Sequence, residues 1–189
     1  MRKKASEALH GQAEILVGAA AAAARWFHVP GLVSLTAART ARLRSRAWRD
    51  ASVAASQTRS GPAKTDACDL SFALREAVEQ TVAAVSEAAR WGVCADAAFA
   101  AAADALEDAA RDLKRAAAAA ASPARADALL EAKRHAAVVE RRCRAVRAEA
   151  HESPAFVESV KRSAISARLS SAAEALQQAC DALAGGLSE

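Results

Sequence analysis

The chain has 189 residues, 58 of them alanine, with 7 Gly, 4 Pro, no Tyr and 4% aromatics. Strands draw on β-branched and aromatic side chains, which are scarce here, whereas Ala, Leu, Glu, Arg and Gln favour helix, so this composition excludes most β architectures. The formal net charge of +4, from 26 basic and 22 acidic residues spread along the length, is too mild to imply nucleic-acid binding, which calls for a dense basic face with interleaved aromatics.

Length fits one domain spanning 1–189, all-α and held by close helix approach, because most of its apolar surface is alanine methyl. Helix breakers divide it into six stretches, predicted at about 4–28, 32–58, 66–91, 96–121, 124–151 and 155–184. In the first, Leu9, Ala13, Leu16, Ala20 and Ala23 advance by threes and fours and form a packing seam. Its run from Ile15 to Ala24, after Met1-Arg-Lys-Lys4, loosely imitates a signal peptide. Glu7, His10, Gln12 and Glu14 interrupt that plan, and the run is too short to cross a bilayer. Six alanines recur at 116–121, so both runs read as packing surface.

Val29-Pro30-Gly31 ends the first helix and Ser60-Gly61-Pro62 the second. Along the second, Arg39, Arg42, Arg46 and Arg49 step by three, four and three and form a stripe on one side. A solvated face paired with neighbouring acids is the expected reading. A surface for anions or acidic partners is the alternative, since guanidinium forks match phosphate and carboxylate. The third helix ends at Trp91-Gly92. Ser122-Pro123 and Ser153-Pro154 each pair a candidate N-cap with Pro at the first turn, opening the fifth and sixth, and Gly185-Gly186 closes the sixth. Seams run through Phe99, Leu106, Ala110 and Leu113 in the fourth helix and Leu129, Ala132, Ala136, Val139, Cys143 and Val146 in the fifth. The sixth has Ile165, Leu169, Ala172, Leu176, Cys180 and Leu183.

Trp26, Phe27, Trp48 and Trp91 are expected to plug gaps at helix ends in an alanine-lined bundle. Cys68, Cys94, Cys143 and Cys180 form no CxxC pair and read as reduced thiols of a cytosolic protein, with Cys143 and Cys180 buried on seams. His10, His28, His135 and His151 show no spacing suited to a metal or a catalytic dyad and are expected at the surface. With no Gly-rich phosphate loop and no nucleophile beside a placed base, a non-enzymatic protein is expected.

An internal repeat organises these elements. A shift of 97 lays Ala5, Ala8, Leu9, Ala13, Leu16 and Ala19 to Ala24 on Ala102, Ala105, Leu106, Ala110, Leu113 and Ala116 to Ala121. A shift of 98 lays Arg44-Ser-Arg-Ala-Trp-Arg49 on Arg142-Cys-Arg-Ala-Val-Arg147, and Glu76-Ala-Val-Glu-Gln80 on Glu174-Ala-Leu-Gln-Gln178. Three ordered matches at nearly one offset predict two tandem three-helix repeats, about 4–92 and 96–185. They would form one elongated six-helix bundle with a pseudo-two-fold axis.

This plan resembles the PhoU-like family, in its branch of accessory proteins for Pit-type phosphate transporters. Glu7-Ala-Leu-His-Gly-Gln-Ala-Glu-Ile-Leu-Val-Gly-Ala-Ala20 is similar to the family's opening helix. Asp66-Ala-Cys-Asp-Leu70 leading to Val85-Ser-Glu-Ala-Ala-Arg90 resembles its third, and Val160-Lys161 through Ile165, Leu169, Glu174 and Leu183 its sixth. The resemblance implies a cytoplasmic accessory protein that docks on the cytoplasmic face of a membrane phosphate transporter and forms homo-oligomers; the mild charge balance adds that no nucleic-acid partner is expected.

Family members carry acidic motifs, a carboxylate four residues before Asp, which share a helix face and can hold iron, zinc or other cations. Here the corresponding positions are Arg44 and Trp48, and Arg142 and Val146. Glu76, Glu79, Glu174 and Asp181 are the remnant metal candidates, so loss of most or all metal clusters is expected and no cofactor is assigned. Arg44, Arg46, Arg49, Arg142, Arg144 and Arg147 become the candidate partner or anion surface. The rival readings are a metal-binding bundle of the same family, holding a divalent metal or iron, and a divergent helical scaffold whose arginine faces bind an anionic ligand or partner, nucleic acid or a lipid headgroup.

Overall fold

The computed structural model describes residues 2–56, 62–93, 96–119, 122–152 and 154–185, with side chains from Leu9 to Trp48 and from Cys68 onward within those ranges. It is all-helical among the described residues: α1 (Arg2–His28), α2 (Leu32–Ser56), α3 (Pro62–Trp91), α4 (Ala97–Ala118), α5 (Pro123–Glu152) and α6 (Phe156–Gly185). No helix among them is long and apolar enough to cross a membrane.

Helix ends follow local chemistry. Asp96 caps α4, its carboxylate accepting from the backbone N–H of Ala98 at 2.9 Å and of Phe99 at 3.1 Å. Gly92, at φ +72, takes the left-handed conformation that ends α3, and the Val93 N–H reaches back to the Ala88 carbonyl at 2.9 Å. Proline opens α3 and α5. The third helix begins at Pro62 rather than 66, because proline at the first turn sacrifices no hydrogen bond. The fourth stops short of its expected end at 121. Ala116 and Ala117 are buried, Ala118 is exposed, and Ala119 is already extended at ψ 137. A run of alanine stays helical here as far as packing supports it. Positions 57–61, 120–121, 153 and 186–189, on which several expected breaks fall, lie outside the described residues, as does Cys94.

The seams read from the sequence all face inward. Every named seam residue of α4, α5 and α6 is buried, as are Ala13, Leu16, Ala20 and Ala23 of α1, with Leu9 packed against their edge. Helices α1, α3, α6 and α4 pack in a ring, each against the next; α2 covers the α1–α3 edge and α5 the α4–α6 edge. Alanines line much of the α1–α4 contact, so the two backbones meet without large side chains between them. At one end of that contact Phe27 and Phe99 lie with ring centroids 5.3 Å apart.

Polar ties fix the order of the ring. The Arg168 guanidinium of α6 donates to Glu87 and Gln80 of α3, each at 3.1 Å. Arg162 of α6 pairs with the Asp96 cap and sits 5.4 Å from the centre of the Phe99 ring. Arg125 of α5 donates to the Leu183 carbonyl at 2.8 Å, satisfying one of the open carbonyls at the end of α6. Trp26 donates to the Val93 carbonyl, and Lys161 to the Trp91 carbonyl. The end of α1, the end of α3 with the start of α4, and the start of α6 therefore share one end of the bundle.

Candidate functional site

Apart from Asp112, side-chain charge among the described residues lies on half-buried or exposed positions of the helices. Among the described residues the buried polar groups are Ser34, Ser45, Thr81, Asp112 and Ser166, and the remainder of the core is apolar. A crevice of about 10 Å³, lined by Gln12, Ser45, Ser71 and Arg75 among others, has the volume of roughly one water.

Arg44 and Arg46 are exposed on α2, and Arg142 and Arg144 are exposed on α5. Arg147 is partly buried and donates to the Ser170 hydroxyl at 3.2 Å, so it ties α5 to α6. The Arg49 side chain lies outside the described residues. The two arginine groups do not meet: among the described residues α2 and α5 make no contact, and they lie on different edges of the ring. They form two faces instead of one site.

The α2 stripe is partly neutralised. Arg42 Nε lies 2.6 Å from one Glu79 oxygen and Arg46 Nε 3.3 Å from the other. Arg39 and Arg44 are exposed without an ion pair among the described residues, although Arg44 lies near enough to Glu14 to favour its charged form. Arg141, Arg142 and Arg144 on α5 are likewise exposed without an ion pair there. The solvated face paired with neighbouring acids thus describes Arg42 and Arg46, whereas Arg39 and Arg44 keep no ion pair among the described residues.

Three of the four remnant acidic positions have ordinary partners. Glu79 is held by the two arginines just described; Glu76 accepts from Gln80 at 2.7 Å; Asp181 pairs with Lys133; Glu174 is exposed. Among the described residues no group of three or more His, Cys, Asp or Glu is placed to hold a metal ion. The Lys114 ammonium, hydrogen-bonded to Glu14, holds that carboxyl below its usual range. Burial pushes the Cys143 thiol up to about 11 and the Cys180 thiol up to about 12, so both stay protonated and unreactive at neutral pH.

Two histidines, His10 and His135, are less exposed than the sequence expectation. His135 is only partly exposed: its Nδ1 lies 3.0 Å from Asp112, a buried carboxylate that also accepts from Arg115 at 2.6 Å. An unpaired buried carboxylate is costly, and these two basic neighbours offset the cost. His28, exposed as expected, pairs with Asp104 at 2.9 Å.

Sequence reasoning also missed the apolar surface. Val29, Leu32 and Val33 are 76%, 81% and 79% exposed, and Leu43 is 66% exposed. Phe156, Val157 and Val160, at the start of α6, are exposed at the same end of the bundle as the first three. A signal was present in α2, which has leucines at 32, 35 and 43 but no sustained seam.

Comparisons with family models, curated proteins and solved structures found no match to this chain.

Proposed function

We propose that this protein is a non-enzymatic adaptor that docks by its helix faces on the cytoplasmic side of a membrane phosphate transporter, in the manner of the PhoU-like accessory proteins it resembles. The observation that carries the reading is the pair of arginine-bearing outward faces on α2 and α5, which occupy equivalent places around the ring. Arg39 and Arg44 on one, and Arg141, Arg142 and Arg144 on the other, are available to carboxylates or phosphates of a partner.

We read the chain as a duplicated three-helix unit, and the helix contacts support that reading. Exchanging α1, α2 and α3 for α4, α5 and α6 leaves the set of touching helix pairs unchanged: α1·α2 becomes α4·α5, α2·α3 becomes α5·α6, and α1·α3 becomes α4·α6. The two remaining pairs, α1·α4 and α3·α6, map onto themselves. That is the behaviour of a two-fold-related pair of repeats. A protein with duplicated faces can bridge two subunits of a transporter or two copies of itself.

Affinity capture of the tagged chain from native membranes in mild detergent, with identification of what is retained, tests the proposal. A phosphate permease is the expected partner, and deleting the gene is expected to change phosphate uptake. Recovery of no permease, together with unchanged uptake, would overturn it.

A further inference from the structure

We infer that the outward face of α2 rests on the headgroup surface of an anionic lipid bilayer. The inference deepens the docking reading, on which it rests for placing the protein beside a membrane. From Leu32 to Trp48 the helix holds four arginines and no acidic residue. By contrast α5 carries five acids beside its seven lysines and arginines, and the Leu32–Trp48 stretch of α2, which Arg49 and Asp50 follow, is the part with charge of one sign.

The arrangement of that charge is specific. Leu32, Thr36, Thr40, Leu43 and Ala47 step by four, four, three and four, and all five are exposed. They form an uncharged strip along the outside of α2, opposite the buried Ser34, Ala38, Ala41 and Ser45. Arg39, Arg42 and Arg46 border the strip on one side; Arg44 borders it on the other. An uncharged centre flanked by guanidinium groups is the layout of a helix lying in a bilayer interface, with leucines at the acyl boundary and arginines among the phosphates.

The helix meets its turn at a corner where Val29, Leu32 and Val33 stand almost fully exposed. Such a corner can dip below the headgroups. Nucleic acid fits this face poorly. Its centre presents Leu32 and Leu43 where phosphates would lie, and it has no aromatic, Asn or Gln to meet bases.

The probe is flotation of the purified chain with vesicles of phosphatidylcholine alone or mixed with phosphatidylglycerol, with no transporter present. Binding is expected only to the mixed vesicles and is expected to weaken steeply with added salt. Arg39→Glu/Arg44→Glu is expected to weaken it by about tenfold or more, and Leu43→Ser by about threefold. Arg111→Glu/Arg134→Glu makes the same change in net charge on other helices and is expected to leave binding unchanged. All four arginines are exposed, and helicity by circular dichroism checks that each variant is folded.

Absence of flotation at low salt, equal binding to uncharged vesicles, or equal loss in both double variants would overturn the inference. So would retention of nucleic acid or an acidic protein by this face without vesicle binding. Capture of a permease in detergent would stand in any of those cases, so failure here and failure of the docking reading are separable.

Discussion

Helices α2 and α5 cover corresponding edges of the same ring and share the Arg-x-Arg-Ala-x-Arg pattern, yet they are anchored differently. The buried face of α5 includes Leu129, Val139, Cys143 and Val146. Among its described side chains α2 buries only Ser34, Ala38, Ala41 and Ser45, with Leu35 and Trp48 half-buried. A helix with a large apolar inner face is held by burial. One with a small inner face relies on a few contacts, here Trp48 against Gly11 and the two arginines on Glu79. The weakly buried helix is also the one whose larger apolar side chains face out, as expected of an element completed by a partner.

Truncating the anchors separates the two cases most sharply. Leu129→Ala is expected to destabilise the fold by about 2–5 kcal/mol in urea denaturation, whereas Leu35→Ala is expected to cost less than about 1.5 kcal/mol. Similar costs at the two positions would break the contrast. In native-state hydrogen exchange, α2 amides are expected to exchange ahead of those of α5.

Trp48 supplies the next largest effect. A Cβ added at Gly11 would lie 2.8 Å from Trp48 Cζ2, so the indole occupies space that any larger residue on α1 would fill. Trp48→Ala is expected to cost about 2 kcal/mol. Gly11→Ala alone is expected to speed α2 exchange by displacing the ring. In the Trp48→Ala background the same change is expected to stabilise by up to about 1 kcal/mol, because alanine is the better helix former. Additive behaviour of the two substitutions would show that the contact does not hold α2 in place.

Alkaline pH probes the α5 side. Cys143 and Cys180 keep their protons in the folded protein to about 11 and about 12, against a starting value of 9.0. The unfolded chain therefore releases protons first, and stability is fully present below pH 9 and falls as pH rises through 11–12. Cys143→Ala is expected to flatten that fall in urea melts at pH 8 and pH 10.5; an unchanged slope would contradict the burial of the thiol.

The smallest effect is expected at Glu79→Gln, which releases Arg42 and Arg46. Both arginines are about half-exposed, so the loss is expected to stay below about 1 kcal/mol and to shrink with added salt. A cost above 2 kcal/mol would make this ion pair the main anchor of α2.

Much of the candidate surface was legible in the chain, but not its division. The arginine pattern could be read at both sites because the same residues recur there at an offset of 98. Spacing does not say which acids reach that face: Glu79 takes Arg42 and Arg46 and leaves Arg39 and Arg44, a choice made by how α2 lies across α3. His135 looked like a surface residue because Asp112, its partner, is 23 positions away on another helix. The exposed Leu32, Val33 and Leu43 were hidden for a different reason, since an apolar side chain in a helix reads as core until its neighbours are known.

By itself the sequence determined that the chain is helical, where most of the helices begin and end, and which faces of α4, α5 and α6 turn inward. Propensity, capping and the three-four period act within a few turns and need no distant partner. Tertiary structure alone decided that the α1–α3 and α4–α6 edges are the ones covered, that the two arginine groups stand apart, and that the outer face of α2 is left uncovered. Those outcomes depend on where six nearly uniform alanine surfaces come to rest against one another, and side chains so small leave many registers close in energy until the few large and charged groups choose among them.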